Sequence, residues 1–210
     1  MTESEWLAGT DPVPMLYYLQ RKTSDRKLRL FAVGCARRIW EVLGPNDQAN
    51  VEFAERFAEH SDDLYELDWF STFEESHEAA KSTILMNAWT AASKTATNTA
   101  YAWATEAAMQ GSFEQFVSRL NSEHQGQADL LRCVFGNPFH PVSFHPGWLT
   151  PTVKKLAQTI YDDRCFDYLP ILADALEEAG CENEVTLQHC REDRNHTLGC
   201  WVVDRILGNE

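Results

Sequence analysis

Long apolar runs are absent from this 210-residue chain. No window approaches the roughly 20 apolar residues that a membrane-spanning helix needs. The first twelve residues, MTESEWLAGTDP, are acidic and lack the basic and apolar regions of a secretory signal peptide. We therefore expect a cytoplasmic protein that does not associate with a membrane.

Basic residues are also scarce. The chain has 18 of them against 32 acidic residues, for a formal net charge of −14. A field of that sign repels nucleic acid and anionic lipid, which disfavours both as partners. The exception is the segment 21–38, where seven basic residues and one acid, Asp25, give a local charge of +6. The seven are Arg21, Lys22, Arg26, Lys27, Arg29, Arg37 and Arg38.

This basic segment has two interpretations. Its side chains pair with acidic groups elsewhere in the chain, or they form a patch that binds an anion or a nucleic acid. Internal pairing is favoured, because charge runs are usually solvated faces without a ligand. Most of the basic residues fall off the apolar stripe of the predicted helix, which places them on an exposed face. The candidate partner-binding residues are Arg26, Lys27, Arg29, Arg37 and Arg38.

The alternating pattern of β-strands is absent too, and no repeat indicates a solenoid. Helix signals recur instead: Thr2 and Glu5 have the spacing of a capping box, and Asp11, Ser24 and Thr150 stand at N-cap positions. In the clearest helix, apolar residues recur at intervals of three and four before the stop at Gly44 and Pro45: Leu28, Phe31, Ala32, Cys35, Ile39, Trp40 and Leu43. The sequence predicts an all-α, multi-helix bundle with short loops.

The middle of the chain leaves several helix boundaries open. Asn46 or Asp47 is the expected N-cap of the helix after Pro45. The Ala-rich segment 73–110 forms one or two long helices, and its weak helix formers at 93–99 favour a break there. Gly126 is a second expected interruption.

One substantial loop divides the chain. The stretch GNPFHPVSFHPGWLTP, with four Pro and two Gly, predicts a boundary between an N-terminal helical bundle, 1–135, and a smaller C-terminal helical module, 136–210. We expect the two to pack as one unit. The segment 61–72 reads as a connection with a single helical turn.

Catalytic motifs are absent: the chain has no P-loop, GxGxxG turn, GxSxG elbow or HExxH. No catalytic residue is predicted, and a non-enzymatic role is favoured. The His residues of the Pro-rich loop, His140 and His145, are expected to be exposed while its aromatic residues pin the loop to the core. Glu74 and His77 have the i, i+3 spacing of di-iron bundles, but the second copy that such a site requires is absent.

The densest set of potential metal ligands lies near the C-terminus, within twenty residues: Cys181, His189, Cys190, His196 and Cys200. The spacing of His196 and Cys200 suits one half of a tetrahedral zinc site. The other half does not fit, because there is no CxxC, and His189 and Cys190 are adjacent on a helix. Reduced structural cysteines are therefore favoured over zinc, and no other cofactor is expected.

Two segments resemble a family of uncharacterised bacterial proteins that occurs as many paralogues per genome. They cover residues 1–43 and 130–208, and the phrases FGNPF, LPILADALEEAGC, HCR and GCWVVD carry the resemblance. It implies that the C-terminal helices form a recurring module and that 44–129 is variable. The resemblance transfers no catalytic residue. Family members often have a second Cys where this chain has Gly34 and a basic residue where it has His140, which argues against a catalytic or metal site at either position.

The sequence is compatible with three functions. The leading hypothesis is a helical protein-interaction or regulatory module that engages a protein partner through the basic helix or the variable Ala-rich middle. One alternative is a zinc-binding protein that uses the C-terminal Cys and His residues. The other is anion or nucleic-acid binding through residues 21–38.

Overall fold

The protein is all-α, as the sequence predicts. The computed structural model describes residues 1–60, 78–83, 85, 87–110, 112–192 and 195–209, and these contain eleven α-helices and no strand. The helices are α1 (Glu3–Ala8), α2 (Pro12–Leu19), α3 (Asp25–Arg38), α4 (Pro45–Glu59), α5 (Glu78–Thr83), α6 (Ala88–Gln110), α7 (Phe113–Phe135), α8 (Pro151–Asp163), α9 (Leu169–Glu178), α10 (Glu184–Arg191) and α11 (Trp201–Leu207). In this part of the chain, no helix combines the length and the apolar character needed to cross a bilayer.

The predicted helix starts are confirmed where the capping side chains are strong. Thr2 and Glu5 form the capping box: the Glu5 backbone N–H donates to the Thr2 hydroxyl, and the Thr2 N–H donates to the Glu5 carboxylate. Asp11, Ser24 and Thr150 cap α2, α3 and α8 with their side-chain oxygens. Local chemistry therefore determines these boundaries.

The predicted cap of α4 is wrong. The helix begins two or three residues earlier, with Gly44 at the N-cap and Pro45 at the first helical position. Asp47 lies at the third helical position, where its carboxylate accepts the Gly44 backbone N–H at 3.3 Å. Asp47 therefore stabilises the helix start from inside the first turn.

The expected interruptions of α6 and α7 are also wrong. The Ala-rich segment breaks before Ala88, and α6 continues through 93–99. Several of its hydroxyls donate back to carbonyls one turn earlier, as Thr99 does to Thr95 and Ala96, and such bonds are compatible with a continuous helix. The helix α7 runs through Gly126 without a break. The predicted connection 61–72 and the pair Glu74 and His77 lie outside the described residues.

The chain divides into two compact units, Met1–Leu131 and Arg132–Glu210. In the first unit, α3 packs against α4, α5 and α6. Every residue of α3 from Leu28 to Ala36 is buried. One apolar cluster of this unit contains Val33, Ala36, Ile39, Leu43, Val51, Ala54, Ala79 and Ala80. The helix α3 is thus the centre of its unit.

The expected exposed basic face on α3 is wrong. Because α3 has neighbours on several sides, its arginines lie between helices and pair with groups of the same unit. Arg26 binds Glu59 at 3.0 Å, Arg37 binds Glu55 at 2.7 Å and Arg38 binds Glu123 at 3.0 Å, while Arg29 donates to the Leu85 carbonyl at 2.8 Å. Lys27 is half-buried. The pairing with acidic groups that is favoured for this segment is confirmed for Arg26, Arg37 and Arg38, whereas the partner of Arg29 is a backbone carbonyl.

Gly126 makes room for the most buried of these ion pairs. A Cβ at this position would overlap the guanidinium of Arg38. Two nitrogens of this guanidinium donate hydrogen bonds to the Glu123 carboxylate. The missing side chain of Gly126 therefore lets α7 accept an arginine from α3. The backbone of α7 is regular helix at this position, so its conformation does not require glycine.

We expect Gly126→Ala to destabilise the first unit by about 2 kcal/mol. Alanine gains about 1 kcal/mol of helix propensity over glycine, but it displaces Arg38 and leaves Glu123 without its main partner, which costs about 3 kcal/mol or more. Chemical denaturation measures the difference. In an R38M/E123L background the same substitution should become stabilising; a stabilising effect in the wild-type chain would contradict the steric argument.

The second unit has its own core. In this unit α9 packs against α8 and α10, and α11 packs against α8 and α10. The Pro-rich loop is pinned to this core: the Trp148 indole N–H donates to the Gly180 carbonyl at 3.1 Å, and Phe144 makes edge contacts with Trp148 and Trp201. The buried residues are Cys133, Val153, Ala157, Ile160, Leu169, Leu172, Ala173, Leu176, Cys181, Leu187, Cys190, Cys200, Trp201, Val202, Val203 and Ile206.

Candidate metal centre

Two cysteines and two histidines converge inside the second unit. They are Cys133, His189, His196 and Cys200, and one potential ligand atom from each lies within 4.8 Å of the other three. Three of the four belong to the set singled out in the sequence. The fourth, Cys133, comes from the last turn of α7, 63 residues before His196.

Short structural elements bring the C-terminal three residues together. His189 lies in α10, which begins where the Asn183 side chain accepts the Thr186 backbone N–H at 2.9 Å. His196 lies in the connection after α10, and Cys200 is the N-cap residue of α11.

A tight turn sets the direction of Cys200. The Cys200 backbone N–H donates to the Thr197 carbonyl at 3.0 Å, and Gly199 has a φ of 85°. A positive φ at the third position is typical of a type II turn and strongly favours glycine there. The sequence HTLGC therefore reverses the chain and returns Cys200 toward His189.

Two of the distances between ligand atoms match those of a tetrahedral zinc site. With Zn–S bonds of about 2.3 Å and Zn–N bonds of about 2.0–2.1 Å, ligand sulfur and nitrogen atoms lie about 3.6 Å apart. Cys133 Sγ is 3.4 Å from His196 Nδ1, and His189 Nε2 is 3.3 Å from Cys200 Sγ. Small side-chain shifts would place all four atoms around one ion.

The site is screened from solvent. Both cysteines are fully buried and His189 is 6% exposed, while His196 is half-buried. The His189 ring meets the His196 ring edge-on at a centroid distance of 5.0 Å and packs against Trp201 at 5.2 Å. Among the described residues, the buried Nε2 atom of His196 has no hydrogen-bond partner.

The surroundings favour the thiolate of Cys200. Burial opposes ionisation, but the Cys133 thiol donates a hydrogen bond to the Cys200 sulfur, and His189 adds electrostatic attraction and a further hydrogen bond. Together these contacts hold the pKa of Cys200 well below its usual value. Thiolates are the form that binds metals, so a lowered pKa at Cys200 makes metal binding by this sulfur easier.

Cys181 and Cys190 do not join this group. Both are buried in the apolar core of the second unit, and burial raises the pKa of each thiol. Cys190 follows His189 directly on α10, where successive side chains point about 100° apart, so the two cannot face one ion together. The structure therefore separates the five C-terminal candidates into three converging residues and two core thiols.

Sequence reasoning missed Cys133 because zinc motifs are recognised by short spacings. One weak signal was available: Cys133 lies on the apolar side of its helix beside Leu130 and Val134, which predicts that it faces inward. Which residues it meets there depends on tertiary packing. Of the remaining loop histidines, His140 and His145 are both exposed, as expected.

Comparison with known proteins gives no further identification. No family model matches the chain, and neither a curated protein nor a solved structure matches it.

Proposed function

We propose that the protein binds one zinc ion through Cys133, His189, His196 and Cys200, and that the ion is structural. The convergence of four ligand atoms within 4.8 Å, one from Cys133 and three from the distant segment 189–200, carries this proposal. Two thiolates and two neutral imidazoles balance the charge of Zn²⁺, so the loaded site is neutral. A neutral site is compatible with the apolar core around it.

The donor set favours zinc over other metals. Hard cations such as Ca²⁺ and Mg²⁺ prefer oxygen ligands, whereas a tetrahedral set of two sulfurs and two nitrogens is typical of zinc. Four protein ligands complete the tetrahedron and leave no position for a substrate or a water. The arrangement therefore supports a structural role over a catalytic one.

The ion would join three separate segments of the unit: the end of α7, the helix α10, and the turn before α11. Its contribution would be the stability of the C-terminal helical module that the sequence resemblance describes. Zinc thiolates need reduced cysteines, which fits the six thiols of the chain and a location in the reducing cytoplasm.

A partner surface on α3 has less support. Arg26, Arg29, Arg37 and Arg38 are engaged by groups of their own unit. Binding a protein or a nucleic acid through them would require breaking these contacts. The proposed function accordingly lies in the second unit.

Elemental analysis tests the proposal. Protein purified under reducing conditions without chelator should contain one zinc per chain, and Cys133→Ser should lose nearly all of it. Cys190→Ser is the matched control, since it changes a buried thiol of the same core outside the ligand set and should retain the metal. Substitution by Co²⁺ should give the visible absorption of a tetrahedral thiolate site.

Two results would overturn the proposal. One is wild-type protein without zinc that also fails to take up Zn²⁺ or Co²⁺ when these are added. The other is equal zinc content in Cys133→Ser and Cys190→Ser, because removal of a ligand must weaken binding far more than removal of a core thiol. Circular dichroism on both variants shows whether each remains helical.

A further inference from the structure

The two sulfurs of the candidate metal centre are a cysteine pair as well as a pair of ligands. Cys133 Sγ and Cys200 Sγ lie within 4.8 Å of each other. A disulfide has an S–S distance of about 2.05 Å, so the pair must close by less than about 3 Å. Cys133 lies in the last turn of α7, two residues before its end. Cys200 lies where a turn enters α11, a junction that is easier to shift than the interior of a helix.

We propose that Cys133 and Cys200 form a disulfide when the metal is absent, so that metal binding and oxidation exclude each other at this site. The inference rests on the proposed zinc function. Zinc uses a lone pair of each sulfur, which blocks their attack on an oxidant. A disulfide in turn removes two of the four ligands. The chain would therefore hold either the ion or the covalent bond.

The other thiols of this unit are poorer partners. Cys190 lies in the last turn of α10 and Cys181 follows α9, both within the apolar core. Neither belongs to the group of four residues whose ligand atoms lie within 4.8 Å of one another. Cys165 is half-buried and its thiol donates to the Thr159 carbonyl at 3.6 Å. Cys133 and Cys200 are thus the two cysteines that share the converging group, which favours their disulfide over the others that five cysteines could form.

A peroxide is the oxidant class that this step requires. The thiolate of one cysteine attacks an oxygen of hydrogen peroxide, the O–O bond breaks, and a sulfenic acid and hydroxide result. The second thiol then attacks the sulfenic sulfur, and water leaves as the S–S bond forms. The two sulfurs lose two electrons and two protons in total, and peroxide becomes two molecules of water.

Trypsin separates the relevant cysteines without any substitution. Cleavage after Arg132 and Lys154 places Cys133 alone in peptide 133–154, and cleavage after Arg194 and Arg205 places Cys200 alone in peptide 195–205. Cys165, Cys181 and Cys190 share a third peptide, 165–191. A cross-link of peptides 133–154 and 195–205 therefore identifies the predicted bond.

The experiment compares zinc-loaded and metal-free full-length protein at the same dose of hydrogen peroxide. The metal-free protein should lose two of its six thiols and about 2 Da of intact mass, with the cross-link between 133–154 and 195–205. It should then take up no zinc until a reductant restores both thiols. The zinc-loaded protein should keep its thiols until zinc is released, which a zinc indicator in the same sample reports.

The possible failures are distinguishable. A chain that binds zinc but forms no cross-link between these peptides, or that links peptide 165–191 instead, overturns this inference and leaves the metal site intact. A chain that forms the predicted cross-link but never binds zinc supports the disulfide and overturns the proposed function. Equal oxidation of zinc-loaded and metal-free protein contradicts the mutual exclusion.

Discussion

Removal of zinc should lower the stability of the second unit by about 4 kcal/mol when free zinc in the loaded sample is about 1,000 times the dissociation constant. For a unit of this size, that difference corresponds to a fall in melting temperature on the order of 15–30 °C. The physical reason is linkage: zinc binds the assembled ligands of the folded state far better than the separated ligands of the unfolded chain.

Calorimetry before and after treatment with a strong chelator, with reductant present, measures this difference. Hydrogen exchange identifies the region that zinc removal destabilises. The amides of α10, of the turn at Gly199 and of α11 should lose protection. Amides of α3 and α4 belong to the first unit and serve as the internal reference. Unchanged melting in chelator would show that the four residues form an ordinary buried cluster.

The readout can also be optical. Trp201 packs against the His189 ring at a centroid distance of 5.2 Å and makes an edge contact with Phe144. Loss of the ion removes the bond that fixes the His189 ring, and this ring is one of the packing contacts of Trp201. The near-ultraviolet circular dichroism of Trp201 should therefore change before global unfolding, and Cys190→Ser protein should respond to chelator as the wild type does.

The sequence predicts best where the deciding contact is local. Thr2, Asp11 and Ser24 cap helices with side chains that reach only two or three residues along the chain, so their positions can be read directly. Weak local signals predicted badly. The threonines of α6 and Gly126 of α7 both suggested breaks, and packing kept both helices continuous.

Tertiary partners explain the remaining differences. Periodicity placed the arginines of α3 off its apolar stripe, but it carried no information that Glu123, 85 residues after Arg38, would neutralise one of them. The metal centre shows the same limit. Three ligands near the C-terminus were visible as a set, whereas Cys133 joins them only because of how the helices of the second unit pack.

Glu123→Ala should destabilise the first unit by about 3–5 kcal/mol, the usual cost of removing one partner of a buried ion pair. Glu123 is 3% exposed and accepts hydrogen bonds from Arg38 and from the Gln127 amide at 3.1 Å. Truncation leaves the Arg38 guanidinium charged in a space that water reaches poorly, and it also removes an acceptor of Gln127. Urea denaturation of the variant and the wild type gives the difference in free energy of unfolding.

Two comparisons separate this cost from a general effect of losing a carboxylate. Glu78→Ala breaks an exposed pair of the same unit, since Lys81 is 30% and Glu78 74% exposed, and should cost about 1 kcal/mol or less because solvent compensates for the missing partner. The double substitution R38M/E123L removes both charges and should recover most of the stability, since no buried charge is then unpaired. If R38M/E123L were as unstable as Glu123→Ala, the loss would come from packing at the α3 and α7 contact, and the ion pair would not be its cause.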